Sequence, residues 1–131
     1  VLEVVRAHGG LLKVIFETGL LDEKAKILLC EVCSELGVDF VKTSTGFGYV
    51  KAESGMAATG ATRADLELMR RYCADSVQLK ASGGMRSLDD CLMAFEVGAT
   101  RIGTTSTLAI LSQARSRFEG SAESQKSEAD Y

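Results

Sequence analysis

Four short apolar runs separated by longer amphipathic stretches constrain what this chain can become more than any other feature. Residues 11–17 (LLKVIFE), 39–43 (DFVKT), 76–80 (SVQLK) and 100–103 (TRIG) are rich in Leu, Ile, Val and Phe, the composition of strands covered on both faces. A strand that pairs in parallel with the previous one needs a crossover between them, and the intervening stretches have helical periodicity. The chain therefore reads as α/β, with repeated strand and helix units closing a parallel sheet.

The helices carry their own punctuation. One is predicted to begin near Asp22, with Glu23 and Lys24 in its first turn. Ile27, Leu28, Val32 and Leu36 form its apolar stripe and Gly37 ends it. A second opens at Thr62, an N-cap with Asp65 three residues on, and runs through Leu66, Met69, Arg70 and Cys73. A third follows Ser87, whose hydroxyl is placed to cap Asp89 or Asp90, and runs through Cys91, Leu92, Phe95 and Glu96 to Gly98. The last covers about residues 108–118. Val1, Leu2, Val4 and Val5 begin a further helical pattern, and residues 119–131, almost without apolar side chains, are expected to form a flexible polar tail.

With 131 residues, 46% of them hydrophobic, the chain is one domain at most, and a core is attainable without disulfide or metal staples. Its net charge of -3 and pI of about 5.2 provide no basic field for phosphate backbones or anionic lipid, so neither nucleic acid nor a membrane is an expected partner. No apolar run approaches the roughly 20 residues of a spanning helix, and the chain reads as cytoplasmic. Cys30, Cys33, Cys73 and Cys91 lie in or beside helical stretches and are expected to be small apolar packers. Cys30 and Cys33 form a CxxC, yet no second CxxC or histidine pair completes a zinc set, and His8 is the single histidine. No metal site is expected.

Two of the strands end in the same device. Lys42 follows Phe40 and Val41 and precedes Thr43-Ser44-Thr45-Gly46. Lys80 follows Gln78 and Leu79 and precedes Ala81-Ser82-Gly83-Gly84. Carboxyl ends of parallel strands are where α/β folds hold their ligands, so both ammonium groups are directed at a ligand face, with Lys13 in the first strand as a third candidate. An ammonium removed from water beside a second cation has its pKa lowered and supplies a neutral amine near pH 7. Such an amine attacks carbonyls and forms Schiff bases without a metal or organic cofactor. A lysine that snorkels to solvent at a strand end is the competing reading.

Glycine gathers at the same ends. Gly83-Gly84-Met85-Arg86-Ser87 and Gly103-Thr104-Thr105-Ser106 each join a strand to the following helix. Free amides at a helix start attract anions, so these turns are candidates for a phosphate site, with tight turns of no ligand-binding role as the alternative. Arg86 is placed either to bind phosphate or to cap a surface.

LLKVIFETGLL, DFVKTSTGFG, QLKASGGMRS and RIGTTS, in this order and spacing over about residues 11–111, resemble the carboxyl-terminal half of deoxyribose-phosphate aldolase. The VKTSTG element is the most specific of these motifs. The resemblance implies a (β/α)8 TIM barrel of which residues 1–118 supply about the last four βα units, followed by the tail at 119–131. It implies a class I aldolase that reversibly cleaves 2-deoxy-D-ribose 5-phosphate to acetaldehyde and D-glyceraldehyde 3-phosphate. Lys42 then matches the imine-forming lysine, and Lys80 matches the second lysine, which lowers the pKa of the first and assists proton transfer. Thr45, Gly46, Gly83, Gly84, Gly103, Thr105 and Ser106 match positions around the substrate and its phosphate, and Lys13 matches a pocket-lining lysine. The family's catalytic aspartate would lie upstream of Val1, and Tyr131 stands where some members carry a tail tyrosine.

Two departures stand out: Ala81 where the family commonly has proline, and Phe47 where it commonly has a cation. Four units are half of an eight-unit barrel, so their sheet has two edges and an inner face to cover. Either the other half belongs to the same natural protein or two copies associate face to face. A homodimer of the full-length protein is the expected assembly. Competing functions are a phosphate-binding half-barrel without catalysis and a Schiff-base aldolase of another substrate.

Overall fold

The computed structural model describes residues 1–52, 55–58 and 60–127. In chain order its elements are α1 (Leu2–Ala7), β1 (Lys13–Ile15), a 3-10 turn (Thr18–Leu20), α2 (Glu23–Leu36), β2 (Phe40–Lys42), β3 (Tyr49–Ala52), β4 (Gly55–Ala58), α3 (Arg63–Tyr72), β5 (Gln78–Ser82), α4 (Leu88–Glu96), β6 (Ala99–Gly103) and α5 (Thr107–Ser127). The sheet runs β1-β2-β5-β6 with every pairing parallel. All four predicted strands are present. This is the arrangement of the last four units of a (β/α)8 barrel.

The caps form as the residues dictate. Asp22 accepts from the Ala25 amide, Thr62 from the Asp65 amide and Ser87 from the Asp90 amide, the last as a reciprocal capping box. One face of the sheet packs on the helices, with Val41, Val77 and Leu79 fully buried against Leu66, Met69 and Cys30. Each large aliphatic side chain buried there stabilises the fold by about 1.5–3 kcal/mol. Cys30, Cys33, Cys73 and Cys91 are all buried free thiols.

Alternate residues of the strands face the other way. Lys13, Phe40, Lys42, Lys80 and Arg101 share that inner face. The Lys13 ammonium lies 5.7 Å and the Arg101 guanidinium 4.3 Å from the centre of the Phe40 ring. Both cations are within cation–π range of the ring.

Several expectations need correction. On α2 the helix is in place, but Leu28, Val32 and Leu36 are exposed, and Cys30 and Cys33 make the buried contact. Val32, Leu36 and Leu29 instead line an apolar groove with Val1, Leu2, Leu12 and Val14. The helix has two apolar stripes, and the small thiols occupy the one closest to the sheet. On α4, Cys91 and Ala94 are buried while Phe95 is half exposed. The third strand begins at Gln78, two residues later than expected. Helix α5 continues from Phe118 to Ser127, through most of the stretch expected to be a loose tail. Tyr131 lies outside the described residues. The antiparallel β3–β4 hairpin had no counterpart in the sequence reading.

Candidate active site

β2 and β5 are paired so that Lys42 stands directly opposite Lys80. The two lysines open into a cleft of about 360 Å³ at the carboxyl ends of the strands, a size suited to a small ligand. Thr45, Gly46, Gly83, Gly84, Gly103 and Thr105 also line it, so eight of the ten residues singled out from the sequence converge there. Lys13 and Ser106 are placed elsewhere. Lys13 pairs with Phe40, one side-chain layer below the lysine pair. Ser106 precedes α5, where its amide bonds Thr104 Oγ1 at 2.9 Å and its carbonyl accepts from Ile110.

Lys80 is held below the ordinary lysine value of 10.5, first by burial and then by repulsion from Lys13, Lys42 and Arg101. Arg101 was not identified from the sequence. A register shift between β5 and β6 pairs Leu79 with Ala99 but Lys80 with Arg101, so one extra residue on β6 brings the arginine onto the inner face beside the lysine.

Buried hydroxyls tie the two lysine-bearing strands together just beyond the lysines. Thr43 Oγ1 donates to the Ser82 carbonyl at 2.9 Å and accepts from the Ser82 amide at 3.1 Å. Ser82 Oγ donates to the Ser44 carbonyl. Side-chain and backbone polar groups satisfied in this way rigidify the turn that carries Thr45 and Gly46.

That turn is also closed to anions at its amides. The Thr45 amide donates to Glu17 Oε2 at 3.1 Å, the Gly46 amide to Ser44 Oγ at 3.0 Å and the Phe47 amide to Thr45 Oγ1 at 3.2 Å. Gly46 therefore contributes a left-handed backbone, at φ 85°, rather than a free donor; a Cβ there would make only an ordinary contact, 3.6 Å from Gly83 Cα. The other two turns differ. Gly83 and Gly84 take φ of 89° and 76°, a left-handed pair that glycine adopts without strain and that can present successive amides to a ligand. At Gly103 the reason is space: a Cβ there would stand 2.8 Å from Ser82 Cβ and 3.0 Å from Lys80 Cε. Arg86 lines the same cleft, and its backbone amide bonds Asp90.

A pair of amines side by side at the mouth of a cleft, one of them with a lowered proton affinity, can carry out carbonyl addition and proton transfer. Among the described residues no cluster of three His, Cys, Asp or Glu side chains is arranged to hold a metal.

No protein-family model matches the chain. A curated deoxyribose-phosphate aldolase of Micrococcus luteus is 52% identical over 103 residues, 79% of this chain and 41% of the relative. Another, of Rhodopirellula baltica, is 44% identical over 118 residues, 90% of this chain and 45% of the relative. Among solved structures, an aldolase called QR15 superposes with a TM-score of 0.74 at 36% identity, over 88% of this chain and 48% of that one. The tetrameric deoxyribose phosphate aldolase of Aeropyrum pernix gives 0.73 at 31% identity, over 88% and 46%. The chain spans less than half the length of these relatives. By sequence and by fold the chain is similar to the carboxyl-terminal half of a deoxyribose-phosphate aldolase.

Proposed function

We propose that this chain carries the Schiff-base half of an aldolase site that reversibly cleaves 2-deoxy-D-ribose 5-phosphate to acetaldehyde and D-glyceraldehyde 3-phosphate. The observation that carries the reading is the Lys42–Lys80 pair, opposed across one parallel ladder at the mouth of the cleft.

In the cleavage direction the Lys42 amine bonds to C1 of the open-chain sugar and water leaves, giving a protonated imine. A base removes the C3 hydroxyl proton, the C2–C3 bond breaks, and its electron pair passes to C2 as the imine becomes an enamine. Glyceraldehyde 3-phosphate departs with C3 as its new aldehyde carbon. Protonation at C2 and hydrolysis then release acetaldehyde and regenerate the amine. Lys80, whose proton affinity is lowered by burial and by the neighbouring cations, exchanges protons in these steps. Gly83, Gly84, Gly103 and Thr105 surround the phosphate, with Arg86 as a further cation at the same turn.

The complete protein pairs residues 1–118 with an upstream half-barrel that covers the inner face, where Ile15 is 45% exposed. It works in the cytoplasm as a homo-oligomer, a dimer in the simplest case. Residues 119–127, the last part of α5, are assigned no part in the site. The exposed inner face also favours a second reading, a half-barrel that binds phosphosugar without turning it over.

Assay of the complete natural protein on 2-deoxyribose 5-phosphate separates the two. Acetaldehyde release that disappears in Lys42→Ala is the expected result. Calorimetric binding of the phosphosugar with no acetaldehyde formed would overturn catalysis in favour of the second reading.

A further inference from the structure

We propose that Glu17 is a positioning residue of this site, whose carboxylate locks the turn following Lys42 and thereby sets the reach of that amine. The inference rests on Lys42 being the imine-forming residue.

Glu17 is the one described residue other than glycine with a positive φ, at φ 55° and ψ 58°. Such a conformation is uncommon outside glycine and, when it costs free energy, points toward a constrained role. Its consequence is visible in the ladder. The Phe16 amide donates to the Lys42 carbonyl and the Thr18 amide to the Thr43 carbonyl, both at 2.9 Å. A regular parallel ladder would advance by two residues on both strands. Here β1 advances by two and the Lys42 strand by one, and the kink at Glu17 absorbs the difference.

The kink delivers the carboxylate beneath the turn. Oε1 accepts from Ser44 Oγ at 2.7 Å, and Oε2 accepts from Thr45 Oγ1 at 2.5 Å and from the Thr45 amide at 3.1 Å. The same two hydroxyl oxygens accept from the Gly46 and Phe47 amides. One carboxylate thus binds three polar groups of Ser44 and Thr45 and, through their hydroxyls, orders two further amides of the turn. Hydrogen bonds to an ionised acceptor are roughly twice as strong as neutral ones, which suits a latch on an otherwise short, exposed loop. A negative group behind this turn would oppose phosphate binding on it, in keeping with its engaged amides. The lock therefore acts on Lys42 and on Thr45, not on the phosphate.

The test compares Glu17→Ala and Glu17→Gly with the parent in the complete natural protein. Glycine accepts the left-handed backbone and removes only the carboxylate, so it separates the latch from backbone strain. Expected for both is a fall in kcat and in the rate of borohydride trapping of acetaldehyde of about tenfold or more, with the inhibition constant of inorganic phosphate within about twofold of the parent. Wild-type kcat in Glu17→Gly, or equal losses in kcat and phosphate inhibition, would overturn the proposal. Should both variants misfold, Ser44→Ala probes the same contact from the other side. It should reduce kcat without weakening phosphate inhibition, and an unchanged kcat would overturn the proposal too. If the parent itself traps no acetaldehyde, the aldolase reading fails rather than this one.

Discussion

Lys42 and Lys80 are register partners across the central pair of the four-stranded parallel sheet, and the lowered proton affinity falls on Lys80. Burial is its first cause, and the charges of Lys13, Lys42 and Arg101 follow. Replacing Lys80 with Met keeps most of the packing and removes the proton-exchanging group. The expected result is a fall in kcat of about 10²–10⁴-fold, the usual weight of a general acid or base. Steady-state cleavage of 2-deoxyribose 5-phosphate measures it.

Arg101→Met tests the electrostatics without touching either lysine. Removing a like charge makes the protonated amine easier to hold, so the Lys80 pKa moves up toward 10.5. Native Lys80 binds its proton less tightly than the unfolded chain does. Stability therefore rises with pH between the native value and 10.5, and the variant narrows that window. Titration of lysine side-chain resonances reads the shift directly, and movement downward would contradict the assignment.

Gly103→Ala should cost both stability and activity. The added methyl meets Ser82 Cβ at 2.8 Å and Lys80 Cε at 3.0 Å, so either β5 yields or the lysine swings away. Overpacking of this kind costs about 1–3 kcal/mol. Thermal unfolding and kcat measured on one preparation would show the two losses together.

The capping box at α4 gives a pH-dependent stability. Asp90 is held below the carboxylate value of 3.8 by the Arg86 amide first and by Ser87 next. Because the native pKa is the lower one, its contribution is complete above 3.8 and is lost as pH falls through the native value. Ser87→Ala removes the other half of the box at a cost of about 1 kcal/mol. Denaturant melts at neutral pH and in acid check both.

Thr18 is fully buried, and its hydroxyl has no hydrogen-bond partner among the described residues. Thr18→Val removes a desolvated polar atom at nearly constant shape. The expected change is neutral to stabilising, by up to about 1 kcal/mol. A clear loss of stability in chemical denaturation would show that the hydroxyl is satisfied in solution.

Much of the frame was readable in the residues because the physics there is local. The caps at Asp22, Thr62 and Ser87 and the end of β2 at Lys42 depend on a few neighbours each and appear where short-range rules put them, whereas β5 runs on past Lys80 to Ser82. Arg101 and Glu17 were invisible for the opposite reason. A bulge on β6 moves Arg101 into line with Lys80, and a left-handed kink turns Glu17 under a loop nearly thirty residues away in sequence. Neither shift has a local signature. The hairpin at Tyr49–Ala52 and Gly55–Ala58 was missed because its alanines and lysine favour strands weakly. On α2, two apolar stripes compete, and only the tertiary packing decides for Cys30 and Cys33 over Leu28, Val32 and Leu36.

Covalent capture tests the central claim most directly. The complete protein is incubated with acetaldehyde and sodium borohydride, digested, and mapped by mass spectrometry. A reduced two-carbon adduct on Lys42, absent from Lys42→Ala, is the predicted result; an adduct confined to Lys80, or none on either lysine, would contradict it.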